Sequence, residues 1–201
     1  MNRPLINKAV DEAALVSKLQ AGDRFAFDSL LELHQDRIYN FVRRMVNDPL
    51  DAEDIAQEVF IRAYTNIHRF DNRAGFSTWL YKIASNLCID HVRRRSRRPD
   101  VFSLTRDQFE EESQQHDVAD ERFDPEQALL ENEMASVISH AVVCLSPKLK
   151  QVLLLHDTEN MSYEEIAQVV QCPLGTIKSR LFLARTELQK AVRAYLSGGE
   201  K

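Results

Sequence analysis

The sequence predicts an all-α protein built from two small helical domains joined by a flexible acidic linker. Three observations lead there. Apolar residues recur at helical spacing through most of the 201-residue chain, and no segment alternates with the period of a strand. The chain holds five glycines and six prolines, and Pro49, Pro99, Pro125, Pro147 and Pro173 sit where a helix begins or a linker lies. From residue 99 to 124 the periodicity lapses and acids crowd together. The domains are therefore drawn as 1–98 and 125–201, with the linker 99–124 between them.

Residues 11–20 read as a short helix closed by Gly22, and Asp23 can cap the next one. That second helix places Phe27, Leu30, Leu31, His34, Ile38, Phe41, Val42 and Met45 on its inner side. Asp48-Pro49 stops it and starts a third, whose narrow stripe is Ile55, Val59, Ala63 and Ile67. Phe70 to Gly75 is a loop, followed by a long helix from about Ser77 to Arg95. In the second domain, 125–145 is helical and Ser146-Pro147 opens a helix to about His156. Ser162 and Glu165 have the spacing of a capping box. A short helix to Val170, a tight turn at Gln171-Cys172 and a helix entered at Pro173 make a helix-turn-helix pattern. The seam of the last helix is Ile177, Leu181, Leu188 and Tyr195.

The formal net charge of −5 conceals strong segregation. Residues 80–98 carry six basic side chains against one acid, and 172–193 carry five against one. Between them, 100–133 holds twelve acids and two arginines. Two basic patches flanking an acidic middle are two candidate polyanion-binding surfaces.

On the first basic helix, Leu80, Ala84, Leu87 and His91 share one face, with Ile83 beside them. Trp79, Lys82, Asn86 and Arg93 share another, continued by Arg94. A ring that stacks on bases, an amide that reads a base edge and cations that neutralise phosphates suit unpaired nucleic acid. The plainer reading makes Trp79 a core residue and the arginines a solvated helix end that complements the helix dipole. On the last helix, Lys178, Ser179, Phe182, Leu183 and Thr186 face outward, with Thr176 and Arg185 at the edges. Lys178 with Arg180 or Arg185 can reach guanine edges or phosphates, and Phe182 can press on a thymine methyl. The plainer reading is a helical hairpin that binds protein.

A third face points away from nucleic acid. Asp51, Glu53, Asp54 and Glu58 cluster on the third helix, with Ile55, Val59 and Phe60 as apolar anchors. They read either as acids that stabilise a helix N-terminus or as a protein-docking face with a charge bias against nucleic acid.

Taken together, DAEDIAQEVFIRAY, FDNRAGFSTWLYKIASNLCIDHVRRRSRRP and LSPKLKQVLLLHDTENMSYEEIAQVVQCPLGTIKSRLFLARTELQ resemble, in that order, the extracytoplasmic-function (ECF) sigma factors of bacterial RNA polymerase. The resemblance implies sigma region 2 in residues 1–98 and sigma region 4 in 125–201. It implies core RNA polymerase as a partner, held at the clamp coiled coil of the largest subunit by Asp51, Glu53, Asp54, Ile55, Glu58 and Val59, and also at the flap. It implies promoter DNA as the other partner. The −10 element is then recognised and melted by Phe70, Phe76, Trp79, Lys82, Asn86, Arg93 and Arg94, with Asn86 near a flipped-out base. The −35 element is read by Thr176, Lys178, Ser179, Arg180, Phe182 and Arg185. An anti-sigma factor that covers these surfaces is implied too, and the linker is expected to run along the polymerase interior. Leu183 stands where relatives often carry arginine, and Lys178 where others have arginine; these two departures bear on −35 preference.

Two rivals cover parts of the sequence. A stand-alone helix-turn-helix regulator explains residues 162–193 but not the Trp79 stripe or the acidic helix. An enzyme finds no support: the six histidines are scattered, and no metal-ligand spacing, Walker loop or nucleophile elbow is present. No cofactor is expected. Three separated cysteines, no apolar signal core and no run long enough to span a bilayer point to a cytoplasmic chain with reduced thiols.

Overall fold

The computed structural model describes residues 12–71, 74–97 and 125–198, the side chains of 125–132 and 198 apart. The expected linker and Arg98 lie outside the described residues, as do Asn72 and Arg73 of the loop. Among the described residues there are eight α-helices and no strand: α1 (Glu12–Gln20), α2 (Phe25–Val46), α3 (Pro49–Asn66), α4 (Phe76–Arg97), α5 (Pro125–Cys144), α6 (Pro147–Leu153), α7 (Tyr163–Val170) and α8 (Leu174–Gly198). None of these helices is long and apolar enough to cross a membrane.

Local chemistry sets the boundaries. After α1 the chain turns at Gly22, whose φ of +97° a residue with a Cβ adopts only under strain. The Asp23 carboxylate accepts from the Phe25 amide at 3.0 Å. α2 ends at Asn47 in the left-handed region. Asp48 then caps α3 by accepting from the amides of Leu50 and Asp51, with Pro49 in the first turn. The capping box of α7 forms as its spacing requires: the Glu165 amide donates to Ser162 Oγ, and the Ser162 amide donates to Glu165. Gln171, at φ 55°, makes the tight turn, and the Pro173 carbonyl accepts from the amides of Thr176 and Ile177 in the first turn of α8.

Helices α1 to α4 pack around Leu30, Ile38, Phe41, Val42, Val59, Leu80 and Ala84, all at most 1% exposed. Each such aliphatic or aromatic side chain contributes about 1.5–3 kcal/mol by leaving water. Helices α5 to α8 pack around Val152, Leu155, Ile166, Val169, Ile177, Leu181 and Ala184. The expected seam of α8 is buried at Ile177 and Leu181 and continues, partly buried, at Leu188. Tyr195 is exposed, and its hydroxyl donates to Glu133 of α5 at 2.6 Å. α6 does not end as an ordinary helix: Leu154–Thr158 forms a π-helical turn that leads into buried Glu159.

The two cores are continuous. α4 packs against α6 and α7, and α2 packs against α6. α4 therefore buries a second side, Tyr81, Ser85 and Cys88, in addition to the expected face of Leu80, Ala84 and Leu87. Tyr81 meets the Phe41 ring edge-on at 5.3 Å.

Candidate nucleic-acid and protein interfaces

The loop before α4 is built from beneath by α1. Gln20 Nε2 donates to the carbonyls of Ile67 and Phe70 at 3.1 and 2.8 Å. Glu12 meets buried His34 at 3.0 Å, and this hydrogen bond outweighs the effect of burial and holds the Glu12 carboxyl below its usual range. The His34 ring lies 5.6 Å from Phe76.

On this platform stands Trp79, half-buried, with ring centres 5.2 Å from Phe70 and 5.8 Å from Phe76. Phe70 and Phe76 are 6% and 4% exposed. They form the floor that fixes the Trp79 ring. Lys82 is half-exposed, and Asn86, Arg93 and Arg94 are exposed along the same helix. Arg93 and Arg94 lean on Asp90, at 4.0 Å from its carboxylate and 3.3 Å from its carbonyl respectively. Arg95 turns back to α3, 3.2 Å from Asp51 and 3.8 Å from Asp48. A cleft of about 470 Å³ runs beside Trp79 and Lys82, and its far wall is Ala167 and Gln168 of α7 and Gln171 of the turn that follows it.

On α3, Glu53 and Asp54 are exposed, and Glu58 pairs with Arg62 at 2.6 Å. Asp51 faces Arg95 and, at 3.1 Å, His91. Ile55 and Val59 are 8% and 0% exposed, and Phe60 is 9%. The stripe they form packs into the core. The apolar residues facing outward are Leu50, Ile61 and Tyr64, which sequence reasoning missed. They lie opposite Ile55 and Val59 at 100° per residue, which is the signal that could have found them. Ile61 and Tyr64 line a groove of about 610 Å³ between α2 and α3, with Phe27, Leu31 and Tyr39 on its other side.

On α8, Phe182 is 71% exposed and Leu183 49%. Lys178 and Ser179 are exposed beside them, while Thr176 and Arg180 are half-buried. Lys178 Nζ lies 6.0 Å from the Tyr163 ring centre, and Ser179 Oγ donates to the Thr176 carbonyl. Arg185 is already engaged: it donates to the Asp157 carboxylate, which also meets His156 at 2.6 Å. Burial alone would raise the Asp157 carboxyl, but the hydrogen bonds from Arg185 and His156 prevail and hold it below its usual range.

None of the three cysteines is bonded to another. Cys88 is buried, and burial pushes its thiol up to about 12, with nearby Lys150 only partly offsetting this.

An all-helical chain with an aromatic and basic stripe on one domain and an exposed helix-turn-helix face on the other has the makings of a two-site nucleic-acid-binding protein. Residues 30–98 match the Sigma-70 region 2 family, and residues 136–188 match the Sigma-70, region 4 family. The chain is 38% identical over 182 residues to the RNA polymerase sigma-H factor of Pseudomonas aeruginosa, covering 90% of this chain and 94% of that one. It is 36% identical over 180 residues to the ECF RNA polymerase sigma factor SigW of Bacillus subtilis, covering 89% and 95%. It is 31% identical over 191 residues to the ECF RNA polymerase sigma-E factor of Escherichia coli, covering 94% and 97%. Among solved structures, CnrH in complex with the cytosolic domain of CnrY shares the fold at a TM-score of 0.65 and 21% identity, over 91% of this chain and 97% of that one. The sigma factor RpoE of Bartonella quintana, in complex with the anti-sigma factor NepR, shares it at 0.60 and 22%, over 83% and 96%.

The chain belongs to the ECF sigma factors of the sigma-70 family. It directs promoter-specific transcription, and a stand-alone regulator is not favoured, since the likeness runs through both domains.

Proposed function

We propose that this chain binds core RNA polymerase through α3, recognises and melts the −10 element with the Trp79 stripe, and reads the −35 element with α8. The observation that carries this reading is the pairing of two unlike surfaces in one chain. Trp79, Lys82, Asn86, Arg93 and Arg94 suit unstacked bases and their phosphates. Lys178, Ser179 and exposed Phe182 sit in the first turns of a helix-turn-helix recognition helix, which suits duplex. Exposed Glu53 and Asp54, with Leu50 and Ile61, give α3 an acidic and apolar outer face suited to a protein and unsuited to nucleic acid.

The polymerase performs the chemistry, and this chain supplies selection and strand opening. Two fold neighbours were solved with a bound partner, CnrH with the cytosolic domain of CnrY and RpoE with the anti-sigma factor NepR. By analogy an anti-sigma factor covers these surfaces here. The chain works where core polymerase and the chromosome are, in the cytoplasm. The test is reconstitution with core polymerase on a promoter library. Initiation that needs both this chain and core supports the reading, and tight binding of one duplex site without core counts against it.

A further inference from the structure

No residue of α1 belongs to the Trp79 stripe, yet this helix holds both rings on which Trp79 rests. At its C-terminal end Gln20 uses its amide donors on the carbonyls of Ile67 and Phe70, at 3.1 and 2.8 Å. Phe70 is one of the two rings against Trp79, 5.2 Å away. About 12 Å back along the helix axis, two turns earlier, Glu12 meets His34 Nε2 at 3.0 Å. Glu12 also accepts from the Ser77 amide, in the first turn of α4. There its negative charge meets the positive end of the α4 dipole. His34 lies 5.6 Å from Phe76, the second ring against Trp79.

These contacts are separate from the seating of α1 itself, which rests on Val16 and Leu19, 2% and 4% exposed. Gln20 is exposed and Glu12 half-buried. One helix thus ties the entry to the loop, at Phe70, and its exit, at Ser77. A ring that is already ordered loses less freedom when a base stacks on it, so the stacking is stronger for the same contact.

We propose that Glu12 and Gln20 are positioning residues for strand opening: they hold Phe70 and Phe76 so that the Trp79 ring is fixed before a −10 base reaches it. This rests on the reading that the Trp79 stripe takes unpaired DNA.

The test uses the full chain with core polymerase on one promoter recovered from a library, as duplex and with the −10 region pre-melted. The variants are Glu12→Ala and Gln20→Met, which keeps the side-chain length and removes the donors. Thermal melting checks that each is folded at the assay temperature. Glu12→Ala leaves buried His34 without its partner, so Gln20→Met, at an exposed position, carries the test if Glu12→Ala does not fold. Both are expected to open the duplex promoter about fivefold more slowly, the factor that one net hydrogen bond represents. Closed-complex affinity should stay at the wild-type value, and the pre-melted template should be affected less. Trp79 is the only tryptophan of the chain, so its fluorescence anisotropy reads the mobility of the ring, and both variants should lower it. In a Trp79→Ala background Gln20→Met should slow opening no further, since its effect runs through the ring, whereas a general loss of structure would add its own cost. Folded variants with the wild-type opening rate or unchanged anisotropy overturn the proposal. So does a loss that falls on closed-complex affinity, or one that persists in the Trp79→Ala background. Failure of the −10 reading shows separately, as promoter opening that is unchanged by Trp79→Ala itself.

Discussion

Lys150 is 3% exposed and donates its one described hydrogen bond to Asn47 Oδ1 at 2.8 Å, across the boundary between α6 and the α2–α3 junction. No carboxylate among the described residues pairs with it, and burial lowers its ammonium from 10.5 to about 8. Below about pH 8 the charge is present in both folded and unfolded chains, and the full cost of burying it opposes folding. Between about 8 and 10.5 the unfolded chain binds more protons than the folded one, so this group's contribution makes stability rise with pH. Lys150→Met should therefore raise the melting temperature at pH 7, with the advantage shrinking as pH approaches 10.5. Thermal melts of both proteins at several pH values check this. A variant less stable at every pH would mean that the Asn47 hydrogen bond outweighs the burial.

The Trp79 platform gives a prediction that separates contact from support. Trp79→Ala should slow opening of a duplex promoter by about tenfold or more, as loss of a stacking ring worth about 1–3 kcal/mol requires. It should affect a pre-melted template less, and equal losses on both templates would count against a melting role. Phe76→Ala should instead lower stability by about 3–5 kcal/mol, because it empties a buried position, and urea unfolding reads this directly.

On α8, Lys178→Ala and Phe182→Ala should each weaken −35 discrimination by about 1–3 kcal/mol while leaving core binding intact. Arg185→Ala should cost less discrimination than Lys178→Ala, since its guanidinium is already held by Asp157. Competition binding of the holoenzyme to promoters substituted at −35 measures all three. Loss of core binding in any of them would mean that the second domain is misassigned.

The thiols give a simple check of the packing. Cys144 is exposed and Cys172 partly so, and both should react with an aromatic disulfide reagent in the native chain. Cys88, buried with its thiol raised to about 12, should react only when the chain unfolds. Prompt reaction of all three thiols would contradict the continuous core around α4.

What could be read from the sequence was what local chemistry decides. Asp48-Pro49, the Ser162–Glu165 box and the turn at Gln171 are set within a few residues, and each formed as its spacing required. The exposed side of α8 was equally legible, because Phe182 has no place in a seam that runs through Ile177 and Leu181. The core stripe of Ile55 and Val59 was legible from its helical spacing. The packing of Phe70 and Phe76 beneath Trp79 was not legible, because an aromatic beside a binding stripe looks the same in sequence whether it touches the ligand or carries the ring that does. Tyr81, Cys88, Lys150 and Glu159 gave no local signal. Their burial depends on a partner that in the case of Tyr81 and Glu159 lies 78 residues away in the chain. The π-helical turn that delivers Glu159 has no periodicity to announce it.

The most direct test of the central claim is run-off transcription from a promoter library, with purified chain and core polymerase supplied separately and together. The account predicts sequence-specific initiation only when both are present, reduced by Trp79→Ala and by Phe182→Ala at different promoter positions. Sequence-specific duplex binding by the chain alone, with no initiation when core is added, would contradict it.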